Sequence, residues 1–192
     1  MSIVANPFVV ILDANVLFPF PVRDVLLTFA HDGLFRARFT GEIMAEWTQN
    51  LLKRKPSLED SINSQVNMIR QTFDECFVTG HMPLIEGLEM PDKDDRHVLA
   101  AAVRCSAQVI VTENKRDFPP DLLEEYDIEV LGADEMLVNT YELFPVEAAR
   151  ALGRVRGRYK NPHMNVSEFL LDLTRVGLPK LAATARRDME TI

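Results

Sequence analysis

Short apolar runs alternate with longer amphipathic segments over the first two thirds of the chain. "FVVILD" (8–13) and "VIVT" (109–112) are β-branched runs typical of buried parallel strands, whereas "LFRARF" (34–39) alternates as a more exposed strand does, and "IEVL" (128–131) is a fourth strand. Helical patterns fill the intervals. The sequence therefore predicts an α/β fold with a parallel sheet of about four strands flanked by helices, because each crossover must return the chain in the same direction.

The predicted helices have recognisable starts. Thr40 is placed to cap a helix through "EIMAEWTQNLLKR", and "SLED" (57–60) is a capping-box pattern that predicts the start of the next helix. A further helix follows the acidic stretch "PDKDD" (91–95). From about Gly132 onward only helical pattern is present. We therefore predict an α/β domain over residues 1–144 and a helical C-terminal extension over residues 145–192.

Composition narrows the class of protein. The 192 residues include 47% apolar residues and carry a net charge of −8 at pH 7. A general nucleic-acid coat protein would normally be basic, so that class is disfavoured, but a nuclease whose acids surround cations is not. No apolar run approaches the ~20 residues of a membrane span, so we expect no membrane association.

Cellular location is predicted from the cysteines and from the N-terminal region. The two cysteines, Cys76 and Cys105, lie far apart and match no metal-binding spacing, which indicates reduced thiols in a cytoplasmic protein. "FVVIL" (8–12) is followed by an aspartate and preceded by no basic residue, so we expect no signal peptide.

Three aspartates crowd the entrance to the third helix. One carboxylate among Asp92, Asp94 and Asp95 could cap the helix and meet the positive end of its dipole. Three exceed that need, because unscreened neighbours at ~4 Å repel by up to ~4 kcal/mol per pair at an effective dielectric constant of ~20. Either these side chains all point into water, or a positive group lies among them.

Other acids stand at or near element ends. Asp13 closes the first strand and Asp117 lies in the loop after "VIVT" (109–112), and ligands of open parallel sheets bind outside the carboxyl ends of strands. The 92–95 cluster opens the helix that feeds "VIVT", so we expect it at the opposite edge unless the preceding loop carries it across. Glu46 lies within its helix among apolar neighbours.

Each of these acids taken alone has a structural explanation, as a turn residue or a helix cap. Together they form the oxygen-rich ligand set that Mg²⁺ or Mn²⁺ requires. Zinc is disfavoured because the four histidines are scattered and no Cys/His pair has ligand spacing. His97 is expected to be a helix-surface residue rather than a ligand.

The chain also carries a local basic segment. Arg150, Arg154, Arg156, Arg158 and Lys160 follow one another with no acid between them. Arg154, Arg156, Arg158 and Lys160 are candidates for sequence-independent contacts with RNA phosphates. A solvated helix face is an equally good explanation.

Four motifs along the chain resemble those of a known family. They are "ILDANVL" (11–17), "AEWTQNL" (45–51), "DDRHVLAAA" (94–102) and "VIVTENKRDF" (109–118). In this order they resemble the successive motifs of PIN-domain ribonucleases, over about residues 8–131, and in particular the VapC-type toxins of bacterial toxin–antitoxin pairs. The helical segment from about Pro145 resembles the C-terminal extension of one subgroup of those toxins.

The resemblance implies a divalent-metal-dependent endoribonuclease, with RNA as substrate, an antitoxin protein as partner and a homodimer as assembly. The residues at the positions of the four family acids are Asp13, Glu46, Asp95 and Asp117, which would be catalytic and hold Mg²⁺ or Mn²⁺. Asn114 stands where some relatives carry another acid. Asp92 and Asp94 are additional and would act as outer ligands.

Two other functions remain open from the sequence. A haloacid-dehalogenase-type phosphatase also begins with a strand that ends in aspartate, but it needs a second acid two residues later, and residue 15 is asparagine. A PIN-like module without activity, used only to bind a partner, is the other alternative. The presence of all four matched acids speaks against it.

Overall fold

Contacts between residues divide the chain into two units. The structure is a computed structural model that describes residues 8–192; residues 1–7, on which the signal-peptide expectation depends, lie outside the described residues. We call residues 8–18 and 36–131 the sheet unit, and residues 19–35 and 132–192 the helical unit. The predicted domain boundary after Phe144 stays a prediction.

The sheet unit contains a parallel four-stranded sheet. Its strands are β1 (Val9–Leu12), β2 (Arg36–Arg38), β3 (Val109–Val111) and β4 (Glu129–Leu131), in the order β2-β1-β3-β4. Ile11 of β1 pairs with Arg38 on one side and with Ile110 on the other. The two central strands are the most apolar and are almost wholly buried, whereas Arg36 on the edge strand is exposed. The prediction of an α/β fold with about four parallel strands is confirmed.

Helices accompany the sheet within the same unit. They are α1 (Ala14–Leu17), α3 (Gly41–Arg54), α4 (Glu59–Thr72), α5 (Arg96–Arg104) and α6 (Pro120–Glu124). Thr40 caps α3 as predicted, since its hydroxyl oxygen accepts a hydrogen bond from the Ile43 amide at 3.0 Å. The predicted capping box at 57–60 is wrong. Pro56 begins a 3-10 turn that includes Ser57, so no side chain caps α4.

The helical unit is built from one early helix and the C-terminal helices. These are α2 (Phe20–His31), α7 (Ala133–Leu143), α8 (Pro145–Arg158), α9 (Val166–Arg175) and α10 (Pro179–Ala185). Although α2 lies between β1 and β2 in the chain, it packs against α7 and α8. Asn165 and Glu168 form a reciprocal capping box at the start of α9. Across residues 8–192, none of the helices combines the length and the apolar character needed to cross a bilayer.

Candidate metal centre at the carboxyl edge of the sheet

Asp13 is held rigidly where β1 ends. Its side chain is 3% exposed, and one carboxylate oxygen accepts the Ala14 amide at 2.6 Å, which caps α1. The Asp13 amide donates to the Val111 carbonyl at 3.1 Å, so the parallel pairing of β1 with β3 continues one residue further. The sheet itself therefore fixes the position of this carboxylate at its carboxyl edge.

Two uncharged residues complete the surroundings of Asp13. The Thr112 hydroxyl donates to Asp13 Oδ2 at 2.7 Å, and the Asn15 amide nitrogen lies 2.5 Å from the same oxygen and 2.7 Å from Thr112 Oγ1. Thr112 is wholly buried. Neither residue was predicted from the sequence to position Asp13. The available signal was that Thr112 directly follows β3 as Asp13 directly follows β1, so the strand pairing must bring them together.

Asp92, Asp95 and Asp117 form a second group of acids. One carboxylate oxygen from each lies within 4.8 Å of the others. The sequence left open at which edge of the sheet the 92–95 cluster lies. A crossover helix runs antiparallel to the strands it connects, so the start of α5 lies at the carboxyl edge, and the charge of Asp13 acts on Asp95 there.

Helix capping does not account for the aspartate cluster. Asp95 occupies the N-cap position of α5, but its side chain makes no capping hydrogen bond. Asp92 Oδ1 accepts the Asp94 amide at 2.9 Å, a local turn that positions Asp92. Asp94 is exposed and is not among the three acids that converge.

Asn114 orients the fourth matched acid. Its side-chain amide donates a short hydrogen bond to Asp117 Oδ2, and its backbone amide donates to Thr112 Oγ1 at 3.0 Å. Asp117 does not cap α6, whose N-cap is Pro119 and has no side-chain hydrogen bond. Asn114 thus links Asp117 to the Thr112–Asp13 network.

Glu46 enters the site from α3. Its carboxylate lies 3.8 Å from His97 Nε2, and its negative charge acts on both Asp13 and Asp95. The His97 side chain is only 16% exposed, so it is a largely buried neighbour of Glu46 rather than the surface residue that we expected. One turn earlier on α3, Glu42 lies 3.4 Å from the buried His81 instead.

The acids repel one another in the metal-free protein. Burial, followed by the charges of Asp13, Asp92, Asp117 and Glu46, raises the pKa of Asp95 to about 6. Burial also raises the pKa of Asp13, against the hydrogen bonds from Thr112 and Ala14. A group of carboxylate oxygens with excess negative charge fits a hard divalent cation. The three acids of this group offer oxygen ligands and no thiolate.

The predicted RNA-binding residues belong to the helical unit. Arg154 forms an ion pair with Asp32, and Arg158 lies 2.8 Å from Asp24. The Arg156 guanidinium donates to the carbonyls of Met164 and Ile192, both at 2.9 Å. Lys160 pairs through its backbone with residue 163. Among these four residues, the guanidinium groups of Arg154, Arg156 and Arg158 each have a partner within the helical unit.

Comparison with known proteins gives two family matches. The model described as "PIN domain" matches residues 9–116, which include β1, α3, α5 and β3 and therefore all of the acids described above except Asp117. The chain belongs to the PIN-domain family. The model described as "VapC50 C-terminal domain" matches residues 133–187, which include α7 to α10. PIN-domain nucleases use a divalent metal ion, and this PIN domain carries an acidic cluster suited to one.

A curated relative supports the same assignment. A Mycobacterium tuberculosis protein named as a ribonuclease, VapC50, is 42% identical to this PIN-domain chain over 114 residues. The match covers 58% of this chain and 65% of that protein, so the chain spans less than two thirds of the relative's length. No solved structure matches this chain significantly. The phosphatase alternative is excluded by the family, and Asn15 is hydrogen-bonded to Asp13 where that chemistry would need a second acid.

Proposed function

We propose that this PIN-domain protein is a divalent-metal-dependent endoribonuclease that hydrolyses RNA phosphodiester bonds, as the toxin of a type II toxin–antitoxin pair. One observation carries the proposal. Acids from four separate segments converge at the carboxyl edge of the sheet, and their mutual repulsion helps raise the pKa of Asp95 to about 6. Strongly perturbed pKa values cluster at functional sites, where a bound cation or substrate can offset the repulsion between the acids.

The proposed ligands are Asp13, Glu46, Asp95 and Asp117, with Asp92, Asp94 and Asn114 as additional oxygen donors. Mg²⁺ or Mn²⁺ is the proposed ion. When bound, such an ion supplies positive charge that stabilises the charge developing on the phosphodiester and eases deprotonation of the attacking water.

The chain's own residues prepare the site for that ion. Thr112 and Asn15 hold the Asp13 carboxylate in one orientation by direct hydrogen bonds, and Asn114 does the same for Asp117. Because the pKa of Asp95 is raised, its carboxyl group retains a proton more readily than an ordinary aspartate in the metal-free protein. A divalent cation held by these carboxylates would offset their repulsion, and below about pH 6 it would compete with the proton on Asp95.

RNA is the proposed substrate, and an antitoxin protein, a homodimer and a cytoplasmic location complete the proposal. The relative named as a ribonuclease supports the choice of RNA. Arg154, Arg156, Arg158 and Lys160 are proposed to contact RNA phosphates. The side chains of Arg154 and Arg158 remain 51% and 48% exposed in their ion pairs, so both keep donors available to a phosphate.

Cleavage of RNA by the purified protein tests the proposed function. We expect cutting of a pool of single-stranded and structured RNA with Mg²⁺ or Mn²⁺, and none with EDTA. Equal cutting in both conditions would contradict the metal mechanism. If no RNA in the pool is cut and expression of the protein alone leaves bacterial growth unaffected, the inactive binding module replaces the nuclease.

A further inference from the structure

A cleft beside the acidic site lies between α1 and α3, within the sheet unit. Its volume is about 440 Å³, which is in the ~300–1,000 Å³ range of ligand pockets. Its walls include Asn15, Glu46, Asn50, Lys53 and Arg54. We propose that this cleft is an RNA subsite that binds a nucleotide next to the scissile phosphate, with Lys53 and Arg54 holding that nucleotide's phosphate. The inference rests on the proposed function.

Two residues make the cleft continuous with the acids. Asn15 lines the cleft and its amide nitrogen also lies 2.5 Å from Asp13 Oδ2. Glu46 lines the cleft as well, and its charge acts on Asp13 and Asp95. A strand whose reacting phosphate lies at the acids therefore has this cleft as its adjacent space.

One face of α3 runs from the acids to the basic end of the cleft. Glu46, Asn50, Lys53 and Arg54 stand at positions i, i+4, i+7 and i+8, and such residues share a helix face. At 1.5 Å per residue, Lys53 lies about 10 Å further along the axis than Glu46. A dinucleotide can span the distance between the acids near Glu46 and the basic end of the cleft at Lys53.

The guanidinium group of Arg54 is positioned to bind a phosphate. Its guanidinium lies 4.7 Å from the centre of the Phe18 ring, which holds the planar group by a cation–π contact while its side chain stays exposed. A guanidinium fixed in this way presents paired N–H donors that match phosphate oxygens. Among the described residues, neither Lys53 nor Arg54 has a carboxylate partner within ion-pair distance. Arg154 and Arg158 both have one.

The rest of the cleft suits a base. Ala14 and Trp47 are buried and form part of its apolar wall, and the exposed Asn50 side chain offers both a donor and an acceptor to a base edge. Single-stranded RNA is recognised through such mixed surfaces, where unstacked bases meet apolar or planar groups. The positive charges of Lys53 and Arg54 also interact favourably with the negative, C-terminal end of the α3 dipole. That role alone does not require a cleft that shares Asn15 and Glu46 with the acidic site.

The test compares two double variants that remove the same charges. Lys53→Gln with Arg54→Gln neutralises the cleft, and Lys55→Gln with Arg70→Gln is the matched control, since Lys55 and Arg70 are exposed and do not line it. The affinity for a short fluorescent single-stranded RNA of mixed sequence is measured in EDTA over a series of salt concentrations, and cleavage is measured with Mg²⁺. Thermal melts with and without Mg²⁺ check that the fold and the acidic site are retained.

We expect the cleft variant to raise Kd by about tenfold, as for a lost charge-assisted hydrogen bond. The slope of log affinity against log salt should fall by about 0.7, the value for one phosphate contact on a single strand. Its Mg²⁺-induced melting shift should equal that of the wild type, and the control variant should match the wild type throughout. Equal Kd and slope in the two double variants would overturn the subsite.

Failure of the subsite and failure of the proposed function give different results. If the wild type cuts RNA but the cleft variant binds and cuts like the control, the subsite is wrong and the nuclease stands. If the wild type does not cut but its RNA affinity still depends on Lys53 and Arg54, the subsite stands and the nuclease is wrong. If the wild type neither cuts nor binds, both are wrong.

Discussion

Two charged regions of this protein are organised in opposite ways. At the carboxyl edge of the sheet, Asp13, Asp95 and Asp117 are brought close to one another and to Glu46, and the pKa of Asp95 rises to about 6. In the helical unit, Arg154 and Arg158 of α8 are each satisfied by an aspartate, Asp32 and Asp24. The arginines are neighbours in the sequence, whereas the acids come from four separate segments.

The difference separates carboxylates whose negative charges face one another from arginines whose positive charges are paired within the fold. Half-exposed ion pairs contribute only about 0.2–1 kcal/mol each, but they leave no charge uncompensated. Converging carboxylates cost stability until something positive joins them. Mutations that remove one charge at a time should therefore have opposite effects on stability in the two regions, and large effects on activity only at the acids.

The largest expected effect is loss of RNA cleavage in Asp13→Asn. The substitution keeps the shape but removes the most buried carboxylate, so we expect Mg²⁺-dependent cleavage to fall by about 100-fold or more. Relief of growth arrest on expression in a bacterial host should accompany that loss. Asp60→Asn, which changes an exposed aspartate in the first turn of α4, is the matched control. A variant that cuts as fast as Asp60→Asn would remove Asp13 from the site.

A smaller loss is expected in Thr112→Val, which keeps the volume and removes the hydroxyl. Asp13 Oδ2 would lose the Thr112 donor and keep only its neighbour Asn15. Groups that orient metal ligands typically contribute 10–100-fold, so we expect cleavage and Mg²⁺ affinity to fall by about that factor. Thr48→Val, on α3, controls for loss of a hydroxyl that bonds only to the Met44 carbonyl. Unchanged Mg²⁺ affinity would show that Thr112 does not position the carboxylate.

Asp95→Asn should change stability in a direction that depends on the cation. Without metal it removes repulsion, so the variant should be as stable as the wild type or somewhat more stable. With Mg²⁺ at 100 times its dissociation constant, the wild type should gain about 2.7 kcal/mol and the variant much less. Thermal melts of both proteins, with and without Mg²⁺, measure these differences. Absence of any shift in the wild type at millimolar Mg²⁺ or Mn²⁺ would refute a metal centre.

The same residue predicts a pH dependence for the metal-free protein. The pKa of Asp95 is about 6 in the folded state against an ordinary value of 3.8. The folded protein therefore binds more protons than the unfolded chain between these two pH values. The stability that this proton binding contributes is lost as the pH rises through about 6. Relative to Asp95→Asn, the wild type should lose on the order of 1 kcal/mol from pH 4 to pH 7 after solvent screening. Urea unfolding of both proteins in EDTA across this pH range measures the difference in the free energy of unfolding. A wild type that gains stability relative to Asp95→Asn as the pH rises would contradict the repulsion between the acids.

The last prediction concerns Arg154→Gln with Arg158→Gln, for which we expect a small loss of stability. Loss of two half-exposed ion pairs should lower the free energy of unfolding by about 1 kcal/mol. If these arginines also contact RNA as proposed, the salt slope of RNA binding should fall by about 0.7 per contact. Arg150→Gln with Arg175→Gln removes two exposed arginines as a control. An unchanged slope together with lower stability would assign Arg154 and Arg158 to the fold alone.

Much of the sheet unit could be predicted from local pattern. The β-branched runs gave β1 and β3 to within one or two residues, and Thr40 marked the start of α3 because an N-cap hydroxyl bonds only to nearby amides. The predicted capping box at 57–60 is wrong although its residue types match the pattern, because Pro56 begins a 3-10 turn that includes Ser57. Patterns within a few residues are reliable only where no neighbouring constraint overrides them.

The sequence by itself determined which residues carry charge and which segments form strands and helices, because side-chain periodicity and caps act over a few residues. It did not determine that α2 packs with the C-terminal helices, or that Arg154 and Arg158 find acids more than a hundred residues away. Only the tertiary structure decided that Thr112 and Asn15 share an oxygen of Asp13, and that Asp92 lies with Asp95 and Asp117 while Asp94 does not. The physical reason is that strand pairing and helix crossover direction place distant residues together, and no local pattern encodes which partner will be there.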